Sequence, residues 1–254
     1  MKFIGTLLTT ALLGAVVSAG TASAAPWDQS SLALYVYNEN NNQVAVSLLE
    51  DAATFDFTQQ NVTLAGAGTV NLGQFPGISS WGALSMGAEA AYHVSGTDYT
   101  EWFVTTNPLA PPAVSGSNLL SFHSMNGSVK SGASGADPGD SGVSVLPSSN
   151  QLSYDYVANK NSTVPGGYGG FNSDFADGEA ILDALDVPGA YMDMYLYRFN
   201  LTTADAAGNP YAAVLRLSSD GSVILNPTVP EPASLALIGT ALLGLVGVRR
   251  KFSA

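Results

Sequence analysis

The 254-residue chain contains no cysteine and only two histidines, His93 and His123. Without cysteine there is no disulfide framework, no thiol nucleophile and no cysteine-based zinc site, so stability must come from burial and hydrogen bonding. The sequence also lacks a phosphate-binding loop, a dinucleotide fingerprint, a histidine metal pair and a Gly-x-Ser-x-Gly elbow. Composition does not exclude a Ser-His-Asp catalytic triad, because serine is abundant and two histidines are present.

Basic residues are scarce: eight lysines and arginines face twenty carboxylates, and half of the basic residues lie near the two ends of the chain. The segment 25–228 has four basic residues against nineteen carboxylates, a formal charge of −15. This charge disfavours nucleic acid and anionic lipid surfaces as partners, and it favours a cationic partner, a divalent metal or solubility outside the cell. The segment's 204 residues suffice for one domain with a sizeable core.

The N-terminus has the order of a secretory signal peptide. Lys2 precedes an apolar run at 3–17, broken only by glycine and threonine, and small residues then lead to Ala22-Ser23-Ala24. A short apolar run before an A-x-A triplet is typical of a cleaved signal, whereas an uncleaved anchor would need a longer apolar stretch. We therefore predict a signal peptide at 1–24, with Ala22 and Ala24 recognised by the protease and cleavage after Ala24.

The C-terminus carries a short motif, an apolar stretch and a basic tail, in that order. The sixteen uncharged residues 233–248 would form a helix about 24 Å long, and snorkelling cations can close the gap to a hydrocarbon core of about 30 Å. A buried core helix would not explain the preceding proline or the terminal cations. The positive-inside rule places the tail in the cytoplasm, so we predict a stop-transfer helix in the inner membrane, with 25–228 outside. The motif is Val229, Pro230, Glu231 and Pro232, and the basic tail is Arg249, Arg250 and Lys251.

Together these C-terminal residues resemble the PEP-CTERM sorting signal of Gram-negative bacteria, over 229–254. The resemblance implies processing by an exosortase, an integral-membrane cysteine transpeptidase, and association with extracellular polysaccharide and biofilm. The ectodomain 25–228 also resembles other PEP-CTERM ectodomains in its first strand, its Trp-containing middle and a Gly/Asn-rich turn near 169–172. This second resemblance implies a class of ectodomain and no reaction.

The ectodomain pattern is mainly that of short strands. Residues 32–37 alternate, with Leu32, Leu34 and Val36 on one face, and the polar cluster 38–42 predicts a hairpin turn. Near the end of the ectodomain, Asp220-Gly221 supplies the positive φ of a tight hairpin. We predict a β-sandwich of jelly-roll or lectin-like form. The predicted strands are 32–37, 44–49, 54–58, 69–72, 91–95, 99–105, 151–158, 191–201, 213–217 and 222–225.

Two segments have other patterns. Apolar residues recur at mixed helical spacings over 117–130, which predicts one short helix, weakened by Asn126-Gly127. The Gly/Ser/Asp-rich stretch 131–142 predicts a surface loop that holds Asp137 and Asp140, and acidic turns of this kind usually bind nothing.

A cluster of carboxylates lies within thirteen residues and offers oxygen ligands for calcium. Its spacing departs from an EF-hand, because the fifth position is Ala176 and the glycine falls one place late, at Gly178. A solvated acidic face on a short helix at 179–185 is the competing interpretation, so no cofactor is predicted beyond this calcium candidate. The candidate ligands are Asp174, Asp177, Glu179 and Asp183, with Asp186 nearby.

Two aromatic segments suggest contacts with sugars. Glu101 beside Trp102, with Asp98 near, is the first place to look for the paired carboxylates of a glycosidase, but alternation favours Trp102 as a core residue. Tyr191 and Tyr195 belong to a strand of alternating bulky residues, in which outward tyrosines could stack on sugar rings. Ordinary packing is the competing interpretation for both segments.

We therefore expect an exported, surface-sorted, non-enzymatic protein of the extracellular polysaccharide or biofilm matrix, with an adhesive or structural role. The expected partners are an exosortase, the inner membrane during sorting and extracellular polysaccharide, but not nucleic acid. The alternatives are a secreted glycoside hydrolase and a calcium-stabilised surface-layer protein.

Overall fold

The computed structural model describes residues 27–93, 99–105, 116–137, 139, 141–160, 180–200 and 212–228. These residues are mainly β, as predicted, with one α-helix and short 3₁₀ and π-helical segments. The strands are β1 Leu32–Tyr37, β2 Asn42–Leu49, β3 Val62–Ala65, β4 Ser85–His93, β5 Tyr99–Thr105, β6 Val143–Pro147, β7 Ala180–Ile181, β8 Tyr191–Asn200, β9 Ala213–Ser218 and β10 Val223–Leu225, and the helix is α1 Gly116–Ala136. The 3₁₀ segments are Leu72–Gln74, Trp81–Ala83 and Asp183–Asp186, and the π-helical segment is Tyr156–Lys160.

Antiparallel pairing connects all of the described strands. Their order is β3-β10-β9-β8-β5-β4-β1-β2-β6, and β7 pairs with one end of β4. The pairs β1–β2 and β9–β10 are the two predicted hairpins, and Gly221 has the positive φ, 79°, that the second turn requires. The jelly-roll or lectin-like form of the sandwich stays a prediction.

The main core lies on one face of this curved sheet. It collects apolar side chains from strands along the whole order, including Leu34 of β1, Met194 of β8 and Leu215 of β9. β3 and β2, near opposite ends of the order, come into contact, so the sheet curls around this core. The predicted inward face of β1, with Leu32, Leu34 and Val36, is confirmed.

The helix α1 covers the other face of the sheet. Met125, Val129 and Ala133, spaced four residues apart, are fully buried and belong to one apolar cluster with Tyr35 of β1 and Phe199 of β8. β1 therefore packs on both faces, with the main core on one side and α1 on the other, and all six of its residues are buried.

Three of the predicted strands are wrong, because residues 54–58, 69–72 and 151–158 form turns and helical segments. Short polar side chains capture the local backbone at these places and compete with strand pairing. Asp56 accepts a hydrogen bond from the Thr58 amide, and Asn150 accepts one from the Leu152 amide. The strands β3, β6 and β7, of two to five residues, had no counterpart among the predictions, because so short an alternation is a weak signal.

The predicted surface loop at 131–142 is also wrong in its first half. The helix α1 runs for 21 residues, through to Ala136, instead of stopping at Lys130, so it is not a short helix. Glycine and serine are poor helix formers, but burial of Lys130 and Ala133 on the inner face of α1 overrides that local preference.

The predicted segments at the two ends, 1–24 and 229–254, lie outside the described residues. Among the residues that the structure does describe, no helix is long and apolar enough to cross a membrane.

Candidate functional site

A groove runs along the face of β8, β9 and β10 that is opposite to the main core. It has a volume of about 370 Å³. Tyr191, Asp193 and Tyr195 lie on this face of β8 because side chains two apart on a strand share a face. Further along the same face, Tyr197 and Phe199 are buried with the residues of α1. The groove, called here the Arg216 groove, is lined by Gln60, Asp193, Tyr195, Val214, Arg216, Asn226 and Pro227.

An ion pair forms the middle of the Arg216 groove. Asp193 and Arg216 are directly opposite in the β8–β9 register. Arg216 Nε and Nη2 donate to the two Asp193 carboxylate oxygens, each at 2.7 Å, a bidentate arrangement. These hydrogen bonds to Asp193 raise the pKa of Arg216, against a smaller opposing effect of burial. The pair therefore presents a rigid polar surface with no net charge.

Tyr191 lies at the rim of the groove and is held there by Arg216. The guanidinium carbon of Arg216 lies 3.5 Å from the centre of the Tyr191 ring, a stacking contact. The Tyr191 side chain is nevertheless 48% exposed. A ring supported on one side by a guanidinium and open to solvent offers a flat apolar platform with a polar tip.

Asn226 closes the groove at the end of β10. It has a positive φ of 44°, and its side chain ties three segments together. Its amide oxygen accepts from the Val214 amide at 2.8 Å, and its amide nitrogen donates to the carbonyl oxygens of Phe57 and Gln59 at 2.6 and 2.9 Å. Sequence reasoning found Tyr191 and Tyr195 but missed Arg216, Asn226 and Gln60. No local motif marks these three, since β9 pairing and the loop before β3 bring them together.

The candidate sugar-cleaving residues around Trp102 are not brought into this groove. Trp102 is buried in the main core, as alternation predicted, with the Arg198 guanidinium 5.6 Å from its ring centre. It therefore offers no open platform for a sugar. Asp98 lies outside the described residues, and Glu101 lies on β5, opposite Phe199 of β8.

The carboxylates of the calcium candidate are only partly described. Asp174, Asp177 and Glu179 lie outside the described residues. Asp183 is exposed on a short 3₁₀ helix, Asp183–Asp186, which agrees with a solvated acidic face at this end of the cluster. Asp186 instead caps another segment: its carboxylate accepts from Ser80 Oγ at 2.6 Å and from the Trp81 amide at 2.7 Å. The hydrogen bond from Ser80 is the main cause that lowers the pKa of Asp186. Within the described part of the chain, no three metal-ligating side chains come together.

Three basic side chains of the described ectodomain are engaged inside the fold or by a neighbour. Lys130 of α1 is 2% exposed, Arg216 pairs with Asp193, and Arg198 lies over Trp102. The segment 25–228 therefore keeps its formal charge of −15 with few basic groups free at the described surface, and the absence of a nucleic-acid partner stays a prediction.

The described chain is thus a mainly β module with an aromatic-rimmed groove on its surface. At the C-terminus, residues 228–251 match a family model described as the PEP-CTERM protein-sorting motif. The chain therefore carries a PEP-CTERM sorting motif, and the predicted resemblance is confirmed for this segment. No curated protein and no solved structure matches the chain significantly.

The motif implies a protein that is exported, held transiently in the membrane and sorted to the surface by an exosortase. The residues of the motif and basic tail lie outside the described residues. The signal peptide with Ala22 and Ala24, the domain boundaries, the membrane helix at 233–248 and the ectodomain resemblance stay predictions.

Proposed function

We propose that this chain is a non-enzymatic, surface-sorted protein of the extracellular matrix, and that its Arg216 groove binds polysaccharide. The sorting motif supports delivery to the place where such polymers lie. The observation that carries the binding proposal is Tyr191, an exposed ring stacked on a guanidinium that is itself locked by Asp193. A preorganised platform of this kind loses little side-chain entropy when a ligand stacks on it.

The charges of the ectodomain favour a neutral polymer as the ligand. The Asp193–Arg216 pair contributes no net charge to the groove, and the segment 25–228 has a formal charge of −15. An anionic polymer would be repelled by this field, while neutral sugar rings would not. Tyr191 and Tyr195 are four residues apart on one strand, about 13 Å, so more than one ring of a chain can lie along the groove.

We also infer a sandwich-type architecture for the ectodomain. The two halves of the curled sheet contribute apolar side chains to one core, from Leu34 and Val46 on one side to Leu215 and Val223 on the other. This arrangement supports the jelly-roll or lectin-like form, because faces that enclose a common core are the basis of a sandwich.

The test is affinity electrophoresis of the full chain in gels that contain dextran or the purified extracellular polysaccharide of the producing cells. The substitution Tyr191→Ala should weaken binding about tenfold, because it removes the platform, a loss of about 1.4 kcal/mol. Tyr191→Phe keeps the ring and should bind nearly as well as the wild type. Val145→Ala is the control for an exposed apolar side chain outside the groove, on β6.

Two results would count against the proposal. Equal retardation of the wild type and Tyr191→Ala would remove the Arg216 groove as the site. Release of new reducing ends from the polysaccharide, abolished by a single Asp or Glu substitution, would show that the protein is a glycoside hydrolase and not a binding protein.

A further inference from the structure

Four polar side chains are enclosed between the sheet and α1, far from the Arg216 groove. Each is at most 2% exposed, and they lie among the aromatic and aliphatic side chains that α1 covers. Enclosing such groups in an apolar layer is costly unless they are paired. The buried polar cluster, as we call it, consists of Tyr35 of β1, Glu89 of β4, and Asn126 and Lys130 of α1.

Most polar atoms of the buried polar cluster have no hydrogen-bond partner among the described residues. By distance and angle this holds for both carboxylate oxygens of Glu89, both amide atoms of Asn126 and the hydroxyl of Tyr35. The Tyr35 and Asn126 side chains nevertheless lie close enough to Glu89 to influence its pKa as weak hydrogen-bond partners. The Lys130 ammonium donates to the backbone oxygen of Ser31 and lies 3.4 Å from its hydroxyl. Each unsatisfied buried group costs about 1–3 kcal/mol, so a concentration of them in one place requires an explanation.

The geometry brings an amine, a primary amide and a carboxyl group together. Asn126 and Lys130 are four residues apart on α1, so their side chains are neighbours on one helix face, with Cβ atoms about 5–6 Å apart. Glu89, in the middle of β4 opposite Ala33 of β1, faces them from the sheet. It interacts electrostatically with Lys130, Tyr35 and Asn126.

Burial also shifts both pKa values toward the neutral forms that a condensation needs. Desolvation raises the pKa of Glu89, against the opposing attraction of Lys130. Desolvation likewise lowers the pKa of Lys130, against the opposing attraction of Glu89. Both shifts favour the neutral pair, a free amine that is nucleophilic and a carboxylic acid that can donate a proton.

We propose that Asn126 and Lys130 become joined by an intramolecular amide bond, with Glu89 as the catalytic acid and base. The neutral Lys130 Nζ attacks Asn126 Cγ, while the Glu89 carboxylic acid donates a hydrogen bond to Asn126 Oδ1. A proton then passes from the attacking nitrogen through Glu89 to Asn126 Nδ2. The Cγ–Nδ2 bond breaks, one ammonia leaves and no oxidant or cofactor is consumed.

The product relieves the strain that the buried polar cluster carries. One neutral amide replaces an amine and an unpaired primary amide, and its N–H can still donate to the Ser31 oxygen that Lys130 contacts now. The bond also closes the helical turn that contains Gly127 and Ser128, two poor helix formers. In a chain without cysteine, the bond would be a covalent constraint confined to this one helical turn.

Peptide mapping by tandem mass spectrometry of the full chain, purified from the producing cells, tests the proposal. The peptide that spans Asn126 and Lys130 should be lighter by one ammonia, about 17 Da, with fragment ions that place the link between these two residues. Trypsin should also fail to cleave after Lys130, because the acylated side chain no longer fits its pocket. An unmodified peptide, or a loss of water that links Lys130 to Glu89, would overturn the proposal.

Variants then distinguish formation of the amide bond from simple burial of the same side chains. Lys130→Arg keeps the positive charge but cannot form the amide, so the mass loss should disappear. Glu89→Gln should abolish the link because it cannot shuttle the proton, whereas Glu50→Gln, at an exposed position, should leave it complete. A complete link in a folded Glu89→Gln protein would contradict the role of Glu89.

Discussion

At the scale of single residues, Asp137 is the clearest anchor in the described chain. It is 5% exposed and accepts hydrogen bonds from Trp27 Nε1 at 3.0 Å and from Ser141 Oγ at 2.7 Å. It also accepts from the amides of Ser141 and Gly142, at 3.0 and 2.8 Å. One carboxylate therefore ties the start of the described ectodomain to the end of α1 and the start of β6. The prediction that acidic turns bind no ligand overlooked this structural role.

The pH dependence of stability should reveal this anchor. Burial alone would raise the pKa of Asp137, but the hydrogen bonds from Ser141, Trp27 and Gly142 outweigh it and lower the pKa. A lowered folded-state pKa means that the stabilisation is present above the unfolded pKa, about 3.9, and is lost as the pH falls through the folded value.

We expect Asp137→Asn to lower the free energy of unfolding at pH 7 by about 2 kcal/mol, because a charged acceptor of several hydrogen bonds is lost. Urea titrations at a series of pH values would measure it, and the difference from the wild type should shrink below about pH 4. Asp183→Asn, at an exposed position, is the control and should change little. If the two variants behave alike at neutral pH, Asp137 is not the anchor described.

At the scale of elements, the β9–β10 hairpin depends on close approach of backbone. Gly221 has a φ of 79°, and a Cβ added there would lie 1.8 Å from the Val70 carbonyl oxygen. The adjacent turn is joined to the hairpin by the Gly68 amide, which donates to the Asp220 carbonyl oxygen at 2.6 Å. The hairpin turn thus serves both the local chain reversal and the packing of the turn after β3.

Gly221→Ala should destabilise the protein by about 2 kcal/mol or more, since it adds both backbone strain and a steric clash. Gly66→Ala is a matched control in the neighbouring turn, because a Cβ there meets nothing within 4 Å. Thermal unfolding of the two variants and the wild type would measure this difference in stability. A small effect of Gly221→Ala would show that the Val70 segment can move away without loss.

The helix α1 shows where local patterns mislead. Its sequence is rich in serine and glycine, which favoured a loop after Lys130. The buried series Met125, Val129 and Ala133 is a helical pattern of period four, but its last member is only an alanine among glycines and serines. Burial of Ala133 against the outer face of the sheet stabilises the end of the helix. This burial cannot be predicted from the sequence of the segment itself.

At the scale of the whole molecule, the sorting motif implies export, transient anchoring in the membrane and release at the surface. The mass of the mature protein should be measured from the cell envelope and the culture medium, in cells with and without the exosortase. We expect a product that begins near Ala25 and ends near Pro232, and we expect it to be lost without the protease. An intact tail in both strains would mean a simple membrane anchor and would move the search for partners to the periplasm.

Sequence alone identified the sorting motif, since a short contiguous motif can be recognised without a fold. It also determined the mainly β class and the two hairpins, because alternation and turn residues act locally. Tertiary structure decided the strand order, the length of α1, the Arg216 groove and the buried polar cluster. Those features depend on contacts such as Asp193 with Arg216 and Glu89 with Asn126, in which residues far apart in the chain meet. The pattern within one segment does not predict such long-range contacts, because the free energy that stabilises them comes from packing of the entire sheet.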